Sequence, residues 1–279
     1  MIKINNEVIS QNTFPDGSAL IKSFPYHETV PLYIEWCYSN DAELFTLQCL
    51  CDKYPNHKKY LIIHYIPHAR MDRVKNKDDV FTLKTFANII NRMDFSGVEV
   101  LDAHSNVSLA LIDKVIEQPA TPFIINVICE MKGKKGEDNI ALFFPDAGAM
   151  KRYTEYNHFL PVAYGEKKRD WSTGAILELK IHDAENIKDK DVLIIDDICS
   201  KGTTFYYAAK NLLAAGARSV SLYVTHCENT ILDGKIFETD LIEHLYTTDS
   251  LVHKTELTNK ENVTIMKRVD FYDIREITK

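Results

Sequence analysis

The sequence predicts an α/β protein whose sheets are mostly parallel and flanked by helices, and three observations lead to this fold class. Short runs rich in β-branched residues alternate with amphipathic segments along the chain, an order typical of parallel sheets. Of the 279 residues, 45% are hydrophobic and 26% are charged, as in ordinary globular proteins. A chain of this length forms two domains or one large domain.

The first half of the chain contains one complete strand–helix–strand unit. Tyr60–Tyr65 and Val98–Leu101 predict two strands because they are short apolar runs rich in residues that favour strands. Thr82–Met93, between them, predicts a helix because its apolar residues recur at helical spacing on one side. The two strands are therefore expected to lie parallel in one sheet.

The second half repeats this pattern. A helix is predicted from about Phe205 to Ala215, followed by Gly216, a residue that readily adopts the left-handed conformation at helix ends. The predicted strands are Ile140–Phe144, Val162–Ala163, Val192–Ile195 and Val220–Val224. Parallel sheets bind ligands at the carboxyl ends of their strands, so the residues that follow each strand are the functional candidates.

Composition excludes several classes of protein. The formal charge of −7, from 33 Lys and Arg against 40 Asp and Glu, argues against a nucleic-acid partner. No apolar run approaches the roughly 20 residues of a membrane span, and the first residues lack the features of a signal peptide. We therefore expect a cytoplasmic protein with no membrane partner. The six cysteines include no C-x-x-C pair, so we expect them to be reduced rather than paired in disulfides or bound to zinc.

The clearest candidate site follows the strand predicted to end at Ile195. Asp196 and Asp197 come first, and a turn of small and hydroxyl residues, Ser200–Thr204, leads into the helix. The N-terminus of a helix binds phosphate well, and carboxylates beside it suit sugar hydroxyls or a bridging Mg²⁺. The G-x-x-x-x-G-K-[ST] motif is absent. A helix cap with acids facing solvent is the alternative explanation.

Charged residues also follow four other predicted strands. Each group alone has a structural explanation, such as a surface ion pair, a structural histidine or a solvated loop. Five strand ends with matching chemistry in one chain instead indicate a shared site for anionic ligands. The groups are Arg70, Asp72 and Arg73; His104; Asp146; and the cations Lys167, Lys168 and Arg169, which could form a lid over phosphates.

In their order, these motifs resemble those of the ribose-phosphate pyrophosphokinase family, and the resemblance runs from Phe14 to Asp249. It implies two tandem domains with the type I phosphoribosyltransferase fold, each with a mostly parallel sheet flanked by helices. We expect the N-terminal domain at residues 1–120 and the C-terminal domain at 121–263, with residues 264–279 returning to the first. The resemblance also implies a homodimer or a larger homo-oligomer.

The resemblance further implies an ATP site. Phe14-Pro15-Asp16-Gly17-Ser18 resembles a family loop that comes from a neighbouring subunit and grips adenine. His68–Arg73 resembles the family's Tyr-Ala-Arg-Gln-Asp-Arg segment, and Asp102-Ala103-His104 its Asp-Leu-His motif. The implied ATP-binding residues are Phe14, Asp16, Arg70, Asp72 and His104, and the implied ligands of Mg²⁺ are His104 and Asp146.

On the acceptor side, the implied reaction is attack by the anomeric hydroxyl of a ribose on the β-phosphorus of MgATP, which releases AMP. This chemistry needs alignment and charge neutralisation, which Lys167 and Arg169 would supply because they match the spacing of the family's catalytic cations. The implied ribose-phosphate-binding residues are Asp146, Asp196, Asp197, Ser200, Lys201, Gly202, Thr203 and Thr204.

The sequence departs from the family in two places, and these departures leave the acceptor open. The family's phosphate-binding run reads Asp-Asp-x-x-Asp-Thr-Gly-Gly-Thr, whereas here the third acid is lost and Lys201 adds a cation; Met71 replaces a glutamine. Ribose 5-phosphate is the first expectation, giving phosphoribosyl pyrophosphate. A 5-substituted relative such as ADP-ribose, giving ADP-ribose pyrophosphate, is the second. A transferase that consumes activated ribose and an inactive regulatory homologue are further alternatives.

Overall fold

The computed structural model describes residues 1–153, 156, 160–169, 176–251, 257 and 260–266, without the side chains of residues 167–169 and 176–179. The chain divides into two compact units, the first formed by Met1–Pro119 and the second beginning at Ala120. Each unit contains its own sheet and its own hydrophobic core. Within the described residues, no helix is long and apolar enough to span a bilayer.

The first unit is built on a six-stranded sheet. Its strands are β1 (Ile2–Ile4), β2 (Glu7–Val8), β5 (Leu32–Trp36), β6 (Lys59–Ile63), β7 (Gly97–Leu101) and β8 (Val115–Gln118); β3 (Ser10–Thr13) and β4 (Ala19–Lys22) form a separate hairpin. The order across the sheet is β2-β1-β5-β6-β7-β8. The ladders from β5 to β8 are parallel, whereas β1 pairs antiparallel with both β2 and β5.

Among the described residues, the helices of the first unit are α1 (Ala42–Lys53), α2 (Thr82–Arg92) and α3 (Asn106–Leu111). The predicted apolar face of α2 is the buried one, since Leu83, Phe86, Ala87 and Ile90 all lie in the core. Burial of such a stripe against a sheet supplies most of the stability of a helix this short. The sequence pattern therefore predicted both the position of α2 and the face that it buries.

The second unit is built on a seven-stranded sheet. Its strands are β9 (Ile140–Phe144), β10 (Val162–Arg169), β11 (Ile176–His182), β12 (Asp191–Cys199), β13 (Ser219–Cys227), β14 (His244–Thr248) and β15 (Val263–Met266), in the order β11-β10-β9-β12-β13-β14-β15. All ladders are parallel except that between β10 and β11. The helices are α4 (Thr121–Lys135), α5 (Ala147–Arg152) and α6 (Thr203–Ala214). The predicted fold class is confirmed.

Among the strands that are longer than the sequence predicted, β12 and β10 change the setting of two candidate groups. β12 continues to Cys199 because its ladder with β13 extends to the pair Cys199 and Cys227, so Asp196 and Asp197 lie within the strand rather than after it. β10 continues to Arg169 because it pairs with β11. Lys167 and Arg169 therefore belong to a strand and not to a loop.

The second unit continues past the boundary expected at residue 264. Residues 264–266, expected to return to the first domain, lie in β15 at the edge of the second sheet, where Val263 pairs with Leu245 and Met266 with Thr248. A short run of β-branched and apolar residues suits such an edge position. Residues 267–279 lie outside the described residues.

Candidate functional site

The loop between β12 and α6 places glycine where no other residue fits. Gly202 has a φ of 69°, in the left-handed region, and a Cβ at this position would lie 2.2 Å from Cδ1 of Ile236. A Cβ at Gly234 would lie 1.9 Å from the carbonyl oxygen of Lys201, so the segment around Gly234 packs directly against the loop. We call residues 200–204 the phosphate loop.

The phosphate loop ends at the N-terminus of α6. The first N–H groups of a helix have no acceptor within the helix, and together with the helix dipole they favour an anion. Thr203 begins α6 and is exposed, Thr204 is half-buried, and Lys201 is exposed on the loop. The phosphate-binding role of this turn stays a prediction, and its cation, Lys201, is exposed to solvent.

Three carboxylates lie near one another toward the carboxyl ends of β9 and β12, which are neighbours in the sheet. Burial raises the pKa of Asp196 well above its ordinary value, and the nearby carboxylates of Asp197 and Asp146 raise the pKa further. The Asp197 N–H also donates to Oδ1 of Asp196 over 3.0 Å. A positively charged group beside these carboxylates would lower the electrostatic cost of keeping all three ionised.

Asp146 has a structural role as well. Its Oδ1 accepts hydrogen bonds from the N–H groups of Gly148, at 3.0 Å, and Ala149, at 3.1 Å, and so caps α5. Acids are common at this position because a carboxylate oxygen can accept from the free N–H groups of the first helical turn. Asp146 therefore caps α5 and also belongs to the group of three carboxylates, because the cap holds its carboxylate beside Asp196.

Arg152 is a functional candidate that sequence reasoning missed. Its Nη1 lies 2.6 Å from Oδ2 of Asp197, whose side chain is 6% exposed. The guanidinium carbon also lies 5.9 Å from the ring centre of Tyr153. The sequence shows only a cation in the last turn of a short helix, and its contact with Asp197 depends on the adjacency of β9 and β12.

Glu228, just beyond β13, was also missed. The Ser200 hydroxyl of the phosphate loop donates to Oε2 of Glu228. The Thr230 hydroxyl donates to the same oxygen over 3.2 Å, and the Glu228 N–H donates to the carbonyl of Cys199 over 2.8 Å. The Ser200 hydroxyl is therefore hydrogen-bonded to a carboxylate. No local sequence pattern indicates this contact, because Glu228 is 28 residues away.

In the first unit, the structure brings Asp72 and His104 together at the carboxyl ends of β6 and β7. Asp72 is buried and accepts two hydrogen bonds from Arg73, Nε to Oδ1 at 2.8 Å and Nη2 to Oδ2 at 3.0 Å. The Arg73 guanidinium chiefly lowers the pKa of Asp72, and a hydrogen bond from Ser105 and the nearby His104 lower it further. Arg70 is exposed on the preceding turn.

The hairpin of β3 and β4 carries the predicted adenine-binding loop. Phe14 at its start is 49% exposed. Asp16 accepts from the hydroxyl of Ser18 at 2.7 Å and from its N–H at 2.9 Å, and these bonds lower the pKa of Asp16. Gly17, at φ 85°, closes the turn. The loop is thus ordered by its own contacts, with Ser18 bonded to Asp16.

The predicted catalytic cations are described only by their backbone. Lys167 lies opposite Leu179 and Arg169 opposite Ile176 in the ladder of β10 and β11. The side chains of Lys167 and Arg169 lie outside the described residues, so their catalytic role stays a prediction.

Magnesium ligation was tested against the donor groups. Within the described ranges, no group of three or more His, Cys, Asp or Glu side chains is arranged to hold a metal ion by itself. Mg²⁺ commonly takes one or two protein carboxylates and completes its shell with water and substrate phosphates. Asp146, beside the raised-pKa carboxyl of Asp196, fits that mode of binding.

Comparisons with known proteins agree with this geometry. Residues 157–249 match the family described as "Phosphoribosyl transferase domain". The chain is 28% identical over 237 residues to the ribose-phosphate pyrophosphokinase of Saccharolobus solfataricus, which covers 81% of this chain and 77% of that protein. It is 29% identical over 227 residues to the enzyme of the same name from Sulfurisphaera tokodaii, covering 78% of this chain and 76% of that protein.

Among solved structures, the phosphoribosylpyrophosphate synthetase of Mycobacterium smegmatis matches with a TM-score of 0.77. The match covers 93% of this chain and 86% of that one, at 16% sequence identity. At this identity the likeness establishes the fold alone.

Proposed function

This chain is a divergent member of the ribose-phosphate pyrophosphokinase family, and on that premise we propose that it transfers the β,γ-diphosphate of ATP to the anomeric hydroxyl of a ribose 5-phosphate acceptor. The products are phosphoribosyl pyrophosphate and AMP. The observation that carries the proposal is the run at the end of β12, where paired aspartates lead through Gly202 into the N-terminus of α6.

In this proposal, the two ends of the acceptor bind to different parts of that run. The N–H groups at the start of α6 bind the 5-phosphate, and Asp196 and Asp197 accept hydrogen bonds from the ribose hydroxyls. Arg152, 2.6 Å from Asp197, holds that carboxylate in place. The anomeric hydroxyl is thereby oriented without a covalent intermediate, and orientation is the larger part of catalysis in phosphoryl transfer.

The ATP site is proposed from Phe14, Asp16, Arg70, Asp72 and His104. Arg70, exposed beside the buried Asp72, binds the phosphates, and Lys167 and Arg169 neutralise the charge of the transferred group. Asp146 would hold Mg²⁺, which would neutralise phosphate charge when bound. Asp146 supports this role through its position in the group of three carboxylates.

A 5-substituted acceptor such as ADP-ribose is the second candidate, because the phosphate loop lacks the third acid and carries exposed Lys201 instead. A lysine there provides a cation for an additional phosphate. The product would be ADP-ribose pyrophosphate.

The decisive experiment measures AMP release from ATP and Mg²⁺ with ribose 5-phosphate or ADP-ribose in parallel, followed by the mass of the product. Acceptor-dependent AMP release with a product heavier by one diphosphate supports the proposal. If no AMP forms with either acceptor, the result contradicts the proposal and favours a regulatory homologue. Pyrophosphate release from phosphoribosyl pyrophosphate and a nucleobase would instead identify a phosphoribosyltransferase.

We also propose that the protein works as a cytoplasmic homo-oligomer. The exposed aromatic ring of Phe14, on a hairpin that is separate from the main sheet, suits a contact with the nucleotide of a neighbouring subunit. The six cysteines are thiols, which suits a reducing compartment.

A further inference from the structure

The phosphate loop is bordered by a carboxylate, which is an unusual neighbour for a site that binds anions. Glu228 is half-buried directly after β13, and its Oε2 accepts from the hydroxyls of Ser200 and Thr230. Its backbone is fixed as well, since its N–H donates to the carbonyl of Cys199 over 2.8 Å. The carboxylate is thus held in one position beside the loop.

This contact determines what Ser200 can offer to a ligand. A hydroxyl has one proton to donate and two lone pairs that accept. Because the Ser200 proton is donated to Glu228, the Oγ atom presents lone pairs to the loop. The oxygens of an ionised phosphate only accept hydrogen bonds, so Ser200 cannot bind them in this arrangement, but it can accept from a hydroxyl or an amine.

The charge of Glu228 acts in the same direction. A phosphate monoester carries a charge of about −1.5 to −2 at neutral pH, whereas an esterified phosphate carries about −1 per phosphorus. In a partly buried site, repulsion from a fixed carboxylate is strongest for the phosphate group that lies nearest to it, and it increases with the charge of that group. Thr230 keeps this carboxylate beside the loop and so maintains the repulsion.

Resting on the proposed diphosphotransfer, and bearing on the choice between its two candidate acceptors, we propose that Glu228 is a specificity-determining residue, which lowers the preference of the phosphate loop for a dianionic 5-phosphate relative to a 5-phosphate that is esterified. The hydroxyl groups of the esterifying substituent meet the lone pairs of Ser200, and Lys201 binds its additional phosphate. Glu228 acts on the acceptor through Ser200 and through its charge.

The test is Glu228→Gln, which keeps the size of the side chain, removes the charge and provides an amide that donates to Ser200. The Ser200 proton can then turn to the phosphate. We expect the ratio of kcat/KM for ribose 5-phosphate to kcat/KM for ADP-ribose to rise about tenfold, mainly through a lower KM for ribose 5-phosphate. A ratio that stays within about twofold of the wild type, or falls, overturns the proposal.

Two further variants separate this role from general effects. Asp233→Asn removes an equal charge from an exposed position of the same segment, and it should leave the ratio within about twofold of the wild-type value. Adding Glu228→Gln to Ser200→Ala should give a smaller gain than Glu228→Gln alone, because the shared hydroxyl is missing. The proposal is contradicted if Asp233→Asn changes the kcat/KM ratio as much as Glu228→Gln does. It is also contradicted if Glu228→Gln raises the ratio by the same factor when Ser200 is replaced by alanine.

Failure of the proposed function can be recognised independently. If the wild type releases AMP with neither acceptor, the proposed reaction fails, and the role of Glu228 is then measured by calorimetric titration with ribose 5-phosphate. Glu228→Gln should bind it more tightly, and equal or weaker binding overturns the inference.

Discussion

At the scale of single residues, Asp196 shows most clearly how a binding site is held at the expense of stability. Its carboxyl is withdrawn from water and lies near Asp197 and Asp146, and each of these effects raises its pKa. A carboxyl with a raised pKa in the folded state destabilises the fold at any pH above that pKa. Sites that keep like charges together are often less stable than their neutral variants.

We therefore expect Asp196→Asn to be more stable than the wild type at pH 7 without divalent cations, with a Tm higher by about 2–4 °C. The folded wild type binds the proton more tightly than the unfolded chain, so its stability falls as the pH rises through the raised pKa. The Tm difference should vanish toward pH 4, where Asp196 is protonated. Thermal unfolding followed by circular dichroism between pH 4 and pH 8 measures this.

Asp197→Asn is the matched control, since it removes the partner that lies 2.6 Å from Arg152. Loss of one partner of a buried ion pair destabilises a protein, so this variant should unfold at a lower temperature than the wild type. A stabilising effect of Asp197→Asn, or a destabilising one of Asp196→Asn at pH 7, would contradict the assignment of the two acids.

Lys167→Ala tests catalysis at the residue scale. We expect turnover to fall by about two orders of magnitude or more, because a cation that neutralises the transferred phosphoryl group acts mainly in the transition state. The Tm should change little. Steady-state AMP release measures the effect, and Lys168→Ala is the control from the same strand. Near-normal turnover of Lys167→Ala would remove this residue from the mechanism.

At the scale of elements, the phosphate loop depends on two glycines that do different work. Gly202 supplies a positive φ at the start of α6, whereas Gly234 supplies space for the Lys201 carbonyl. Gly133, in α4, has neither a positive φ nor any atom within 4 Å of its Cβ position. Only the first two positions should resist substitution.

Gly202→Ala should destabilise the protein by about 2 kcal/mol or more, since it adds strain at φ 69° and a clash with Ile236. It should also raise the KM for the acceptor. Gly133→Ala should stabilise by about 0.5–1 kcal/mol, because alanine favours a helix interior. Urea unfolding measures both variants. A tolerated Gly202→Ala with unchanged KM would show that the loop does not need this backbone.

Prediction from sequence succeeded for elements with a strong local pattern. The bounds of β9 were predicted as they occur, and the buried face of α2 follows from its spacing alone. The short strands β1 and β2 have only three and two residues, too few for a periodic pattern. The extensions of β10 and β12 depend on their partners in the sheet, which a local pattern does not contain.

The same distinction holds for the site. Asp196, Asp197 and Gly202 could be proposed as site residues because they lie close together in one recognisable strand–turn–helix run. Arg152 and Glu228 reach that run from other elements, and only the order of strands across the sheet places them there. The roles of the predicted site residues stay predictions until the variants are measured.

At the scale of the whole molecule, a net charge of −7 coexists with the proposed binding of several phosphate groups. Local groups, mainly the start of α6 and a few cations, have to supply the attraction. The proposed assembly adds a second requirement at this scale, because a loop from one subunit completes the ATP site of another.

Subunit complementation tests this assembly. Phe14→Ala and Lys167→Ala should each be nearly inactive alone, and mixed subunits should regain activity, because one site then combines an intact Phe14 with an intact Lys167. For a randomly mixed dimer, the recovery would be about a quarter of the wild-type activity. AMP release after co-refolding measures it, and a mixture no more active than its components contradicts a shared site.

The contact between Gly234 and the Lys201 carbonyl has a consequence for protein engineering. A glycine-rich loop transplanted from a relative into positions 200–204 would pack against Gly234 and Ile236, which fit the backbone of the present loop. The loop and the segment that follows β13 are one exchangeable module, although about 30 residues separate them in the chain. Changes of acceptor are therefore more accessible by swapping both segments together than by swapping the loop alone.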